Sequence, residues 1–203
     1  SAPDEPGKPA HTNYGGYLPF VVDLRNAARF GGEDNVLVVV ADNRDNPQVP
    51  PGKPQKLLDF TYLGGIYRNV WLEMAEPLHI TSALYENIPG GGGVSVHFTD
   101  VSEASAQVRV KTHLRNEGTS HHSVQLRTVL RDAEGRKVSE ARSAVWMGMG
   151  TDLEVRQQLT VQNPHLWDLD TPYLYRLESS LVLGEEALDR LETPVGIRSI
   201  STD

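Results

Sequence analysis

Beyond residue 93 the chain repeats one pattern, short runs of alternating apolar and polar residues separated by turn-forming residues. "QVRVKTHL" and "SVQLRTVL" are the clearest examples. A period of two puts one set of side chains on each face of a strand, so such runs are half-buried antiparallel strands. "GVSVHFTDV", "KVSEARSAV", "DLEVRQQLTVQ", "YLYRLESSLVL" and "ALDRLETPVGIRSI" continue the series. "DAEG" at 132–135 and "LGEE" at 183–186 read as hairpin turns. About seven strands in ~120 residues is the size of an immunoglobulin-type sandwich. The chain has no cysteine, so no disulfide staples it.

Upstream the strand signals are fewer. "YLPFVVDL" (17–24), "NVLVVVAD" (35–42), the alternating stretch 66–73 and "PLHITSALYE" (77–86) are each expected to form a strand. The second is apolar on both faces, which suits a central strand covered on two sides. "NRDNPQVPPGKP" (43–54) is a long turn-rich surface loop, and 25–35 has room for one short turn. No long amphipathic helix is legible. About four strands bury little surface, so the N-terminal part reads as an incomplete sheet domain.

Composition excludes several functions. With 19 Lys and Arg against 27 Asp and Glu, the net charge is −8 and no basic stripe reverses it locally. Such a surface repels phosphate backbones and anionic membranes, so neither nucleic acid nor membrane is expected as a partner. The missing cysteine removes thiolate metal sites and cysteine catalysis. No apolar run reaches the ~18 residues of a membrane span, and "SAPDEPGKPA" is not a signal peptide. There is no Asn-x-Ser/Thr sequon.

Four segments carry a resemblance. "HTNYGGYLPFVVDL" (11–24), "NVLVVVADN" (35–43), "PPGKPQKLLDFTYLGGIYRNVWL" (50–72) and "NPHLWDLDTPYLYRL" (163–177) resemble, in order, the non-catalytic N-terminal modules of glycoside hydrolase family 2. That family includes β-galactosidases, β-glucuronidases and β-mannosidases. "GGIYRNVWL" followed by "PLHIT" resembles the end of its jelly-roll, sugar-binding domain. "NPHLWDLDTPYLY" resembles the late strands of its immunoglobulin-like domain, and "GIRSI" the strand leading into the catalytic barrel. The resemblance implies an all-β chain. Residues 1–76 would be the C-terminal part of a jelly roll and residues 77–203 an immunoglobulin-like sandwich. In the family, two glutamates on a TIM barrel perform a retaining double displacement. A barrel takes about 250 residues. No catalytic residue is therefore expected here, and the chain alone should not hydrolyse glycosides.

Asp59 is the candidate site residue, for substrate and for metal. It lies six residues before Gly65. At that spacing the resemblance implies an aspartate that reaches the barrel's pocket, contacts a galactosyl hydroxyl and ligates sodium. A carboxylate accepts strong hydrogen bonds and is a hard oxygen ligand. The plainer alternative is a strand-start or turn aspartate. The resemblance implies sodium or magnesium in the intact enzyme and no cofactor in this chain. Its implied partners are a β-galactoside-like carbohydrate, met through the intact enzyme, and the catalytic barrel. Oligomeric state is left open. So is the compartment, with a bacterial periplasmic or secreted setting favoured over a cytoplasmic one.

Other residues have expected structural roles. Arg68 shares a strand face with Ile66, Val70 and Leu72, which calls for a buried ion pair with an acidic residue such as Asp23 or Asp42 and makes Arg68→Met poorly tolerated; the alternative is a substrate-facing cation. Gly64-Gly65 reads as a corner, and "GGGG" at 90–93 as a flexible turn. His113, His121 and His122 read as solvated turn residues, because neighbours on a strand face opposite ways. Asp168 and Asp170 belong to a turn anchored by Trp167, Tyr173 and Tyr175. Trp71 and Trp146 are expected in a core or interface, and would stack on sugar only if exposed. A stand-alone carbohydrate-binding module or an adhesin-like sandwich is the alternative reading of the whole chain.

Overall fold

The computed structural model describes residues 11–32, 34–61 and 63–200. The chain divides into two units, Ser1–Glu73 and Met74–Asp203. This division lies three residues before the boundary expected from sequence.

The second unit is an all-β sandwich. Its strands are β1 (Leu78–Ile80), β2 (Val94–Thr99), β3 (Ser105–Asn116), β4 (His122–Arg131), β5 (Lys137–Met147), β6 (Thr151–Gln162), β7 (Tyr175–Leu183) and β8 (Glu186–Val195). In the first sheet, β3 pairs along its whole length with β6, from Ser105↔Gln162 to Asn116↔Thr151. Its other edge is shared: β2 pairs with residues 107–112 and β1 with 114–116. β1 and β2 are thus two pieces of one strand, interrupted by residues 81–93. The second sheet runs β5-β4-β7-β8, and every pairing is antiparallel. The chain crosses between sheets after β3, β5 and β6, as in an immunoglobulin-type sandwich.

Alternation fills the space between the sheets. Val108, Val110 and Leu114 of β3 meet Leu126 and Leu130 of β4 and Leu177 and Leu181 of β7, all almost fully buried. Each such leucine contributes about 1.5–3 kcal/mol by leaving water. The core nevertheless forms two apolar clusters rather than one. One gathers around Val108, Val110, Leu130, Leu159 and Leu177, the other around Leu114, Leu126, Met147 and Leu181. Between them each long inner strand contributes one polar residue: Thr112, Thr128, Gln157 and Ser179. Gln157 joins the sheets by accepting from Thr128 Oγ1 at 2.6 Å and donating to the Leu126 carbonyl and Ser143 Oγ. Among the described residues the hydroxyls of Thr112 and Ser179 find no partner.

The expected hairpin turns are present. Asp132 Oδ1 accepts from the N–H groups of Glu134 and Arg136 and closes "DAEG". Gly184, at φ +63°, turns β7 into β8. "PLHITSALYE" differs from expectation: only Leu78–Ile80 is strand, and Ala83–Glu86 forms a one-turn helix, α1. Alanine, leucine and glutamate favour helix. Arg115 pins the turn with a bidentate pair to Glu86 at 2.6 and 2.7 Å, while Asp152 accepts from its Nε. The "GGGG" segment is packed rather than loose: a β-carbon on Gly93 would stand 3.1 Å from Ala83.

The first unit departs more. None of its described residues forms a strand, so the strands expected at 17–24, 35–42 and 66–73 are not made. Among its described residues the one regular element is a 3₁₀ turn, Gln55–Leu57. Val36, Val38 and Val40 are each more than three-quarters exposed, and Val70, Trp71 and Leu72 are exposed too. A β-branched run becomes a strand only when a neighbour takes up its N–H and C=O groups. Among the described residues no such neighbour exists. The short turn expected within 25–35 does form, with Ala27 and Ala28 donating to the Leu24 carbonyl.

Candidate functional site

In the first unit, local hydrogen bonds set the approach to Asp59. Asn46 Oδ1 accepts from Gln48 N–H, and Gly52 N–H donates to the Val49 carbonyl. Asp45 Oδ1 then accepts from Gln55 N–H at 2.9 Å, which closes the loop onto the 3₁₀ turn. Asp59 follows two residues later at a bend and is exposed. No hydrogen bond or ion pair engages its carboxylate among the described residues. It is a free acceptor, held by backbone on its N-terminal side.

Gly65 adopts φ +91° at a bend, a conformation that favours glycine and matches the expected corner. A β-carbon on Gly64 would stand 3.1 Å from the Asn43 amide. The expectation for Arg68 is corrected. Arg68 is exposed and lies over the Tyr67 ring, 5.6 Å from its centroid. Asp23 pairs instead with Arg25, and Asp42 with Arg44. Each aspartate takes the arginine two residues on, because the same short stretch also bonds its backbone N–H to that carboxylate. Trp71 and Trp146 do not lie in a core of this chain: they are 78% and 66% exposed.

In the second unit the outer face of the β5-β4-β7-β8 sheet is a charge lattice. Glu140 accepts from Lys137, Arg142 and Arg127 at 2.6–2.9 Å. Lys137 and these two guanidinium groups hold the Glu140 carboxyl down at about 2. Glu178 pairs with Arg131 at 3.6 Å and with Arg190 at 2.9 Å. Val129 is fully buried beneath the lattice, between Glu140 and Glu178 on the neighbouring strands.

Near the end of this lattice the character changes. Trp146 points outward from β5 between the buried Val145 and Met147, opposite Ser123. The His121 ring lies 6.2 Å from the indole at 31°. A β-carbon on Gly148 would come within 3.3 Å of indole Cη2 and Cζ3, so the ring borders that backbone. His113 is not solvated as expected. Its Nδ1 lies 2.9 Å from Thr81 Oγ1, beside the interruption of the split strand. Among the described residues no group of three or more His, Cys, Asp or Glu is placed to hold a metal ion.

The late segments quoted from sequence meet in space. Trp167 N–H donates to the Ile197 carbonyl, its ring rests on Gly196, and Arg198 lies over it at 4.5 Å. Asp168 accepts from the N–H groups of Asp170 and Thr171 and from the Thr171 hydroxyl, the expected turn. Tyr175, buried at the start of β7, accepts from His165 N–H ten residues upstream. This bond ties the start of β7 to the loop before it. From sequence Tyr175 is expected only as a core anchor of the turn, and no local signal marks this backbone bond.

Comparison with known proteins agrees with this geometry. The family model for glycosyl hydrolases family 2 matches residues 94–198. A β-galactosidase of Bacteroides ovatus is 40% identical over 93% of this chain and 20% of its own length. A β-glucuronidase of Formosa agariphila is 33% identical over 92% of this chain and 19% of its own. A glycosyl hydrolase family 2 member from Bacteroides cellulosilyticus superposes with a TM-score of 0.62 at 29% identity, over 69% of this chain and 17% of that one. The chain thus spans about a fifth of the length of the curated relatives it matches. The chain belongs to glycosyl hydrolase family 2 and is a non-catalytic, all-β segment of such an enzyme.

Proposed function

We propose that this segment supplies one wall of the substrate pocket in a retaining, β-galactosidase-like enzyme. In this reading residues 1–76 are the C-terminal part of a jelly-roll sugar-binding domain. Residues 77–203 are an immunoglobulin-like spacer that holds the wall against the catalytic barrel. The strand-like runs at 35–42 and 66–73, which form no ladder among the described residues, then gain neighbouring strands in the intact protein. The acid/base and nucleophile glutamates belong to the barrel.

The observation that carries this reading is Asp59, an exposed carboxylate with no partner among the described residues. It accepts hydrogen bonds from a sugar hydroxyl, and a charged acceptor makes such bonds worth about 1.5–3 kcal/mol each. Its charge also bears on substrate. A carboxylate in the pocket repels a uronate and tolerates a neutral galactoside. This favours the galactosidase name over the glucuronidase name among the relatives. Asp59 offers one hard oxygen ligand, and no cluster of further ligands accompanies it among the described residues. A sodium or magnesium ion would take its other ligands from outside this chain.

The test is a chimera in which this segment replaces the matching part of the Bacteroides ovatus enzyme. Asp59→Asn in that chimera is expected to lower kcat/KM on an aryl β-galactoside at least tenfold, with Tm unchanged. An unchanged kcat/KM would overturn the role of Asp59.

A further inference from the structure

We propose that the end of strand β5 carries a stacking site for a pyranose ring, with Trp146 as the platform and His121 beside it. The inference rests on the reading of the chain as part of a carbohydrate-processing enzyme.

Exposure of an indole is costly, since tryptophan has the most apolar surface to lose from water. Trp146 is nonetheless two-thirds exposed. The ring is bordered by Gly148 on one edge, and the His121 ring centroid lies 6.2 Å from its own. Its cross-strand neighbour is Ser123, and the next outward pair is Ala144 opposite Gln125. These are small or uncharged, and they leave the ring open. Charge begins one pair further on, at Arg127 and Arg142.

This surrounding selects among ligands. A protein interface of stable size buries roughly 800 Å² per partner around an apolar centre. Here a single ring stands among hydrogen-bonding groups, although Met149 in the adjoining turn is also exposed. A sugar ring has the matching shape: a C–H face for the indole and a rim of hydroxyls for imidazole, Ser123 hydroxyl and Gln125 amide. A shallow groove of about 300 Å³ starts at Gln125 and runs over the same sheet past Arg127, Arg142, Ser180 and Arg190. It gives the following residues of an oligosaccharide a polar path. The ligand class is therefore a β-linked oligosaccharide with one ring on Trp146.

The test is an NMR titration of the 203-residue chain with β-1,4-linked galactotetraose. The Trp146 indole N–H signal is expected to shift saturably, with a Kd on the order of 1 mM. Trp146→Ala should weaken binding at least tenfold, His121→Ala several-fold, and Trp71→Phe not at all. Trp146→Phe should retain part of the affinity, which separates stacking from misfolding. No shift in the wild-type chain, or an equal affinity in Trp146→Ala, would overturn the site. So would loss of thermal stability in the chimera on Trp146→Ala without any glycan binding, because the ring would then face another part of the enzyme. None of these outcomes touches the Asp59 reading, which the chimera's kinetics decide.

Discussion

Gly196 and the Trp167 ring are packed so closely that a β-carbon at residue 196 would stand 2.8 Å from indole Cδ1. This contact joins the loop before β7 to the segment after β8, two stretches that are far apart in sequence. The Trp167 N–H to Ile197 carbonyl bond beside it fixes their register. Gly196→Ala must push the indole or the backbone aside. Overpacking of this kind costs about 1–3 kcal/mol. Urea denaturation of the chain should show that loss in the transition of the second unit.

The polar layer between the two core clusters makes opposite predictions for its members. Gln157→Leu breaks the bonds to Thr128, Leu126 and Ser143, and should cost about 2–3 kcal/mol. Thr112→Val removes a buried hydroxyl that has no partner, so it should leave stability unchanged or raise it by about 1 kcal/mol. Thermal melts of the two variants check both signs.

Glu140 gives the second unit a defined acid limit. Its carboxyl ordinarily titrates at 4.5 and is held at about 2 by Lys137, Arg142 and Arg127. A depressed folded-state value stabilises the fold above the ordinary value, and that stabilisation is lost as pH falls through the folded one. Asp152, Glu154 and Asp168 are depressed in the same direction by their own partners. Tm should therefore fall steadily from about pH 4.5 to about pH 2. Glu140→Gln should flatten part of that fall and lower Tm at neutral pH. The partners are partly exposed, so added salt should shrink the difference.

Arg68 is exposed and, among the described residues, meets the neighbouring tyrosine face, so Arg68→Met should change the stability of this chain by no more than about 0.5 kcal/mol. Differential scanning calorimetry decides between this and the costly loss that a buried ion pair would bring.

The contrast between the two units shows what a sequence carries. Every strand from β2 to β8 was legible, because alternation in runs such as 107–114 and 123–130 meets partners within the same chain. The valines at 36, 38 and 40 carry equally strong strand propensity and form no ladder. Propensity is local, but pairing needs a second strand. The same limit explains Arg68 and Trp146. Both lie in strand-like patterns that suggest burial, yet burial depends on what covers that face. The polar layer was hidden for another reason: Thr112, Thr128 and Ser179 occupy inward positions of apolar runs, where alternation treats them as exceptions. Asp59 is singled out only through resemblance, since no feature of a single carboxylate marks its target.

On the proposed reading, this chain contributes to a glycosidase without performing the chemistry. The most direct measurement is release of p-nitrophenol from p-nitrophenyl β-galactoside by the purified chain, with the Bacteroides ovatus chimera assayed beside it. Background release is expected from the chain and turnover from the chimera. Hydrolysis by the chain alone, retained after repurification, would contradict it.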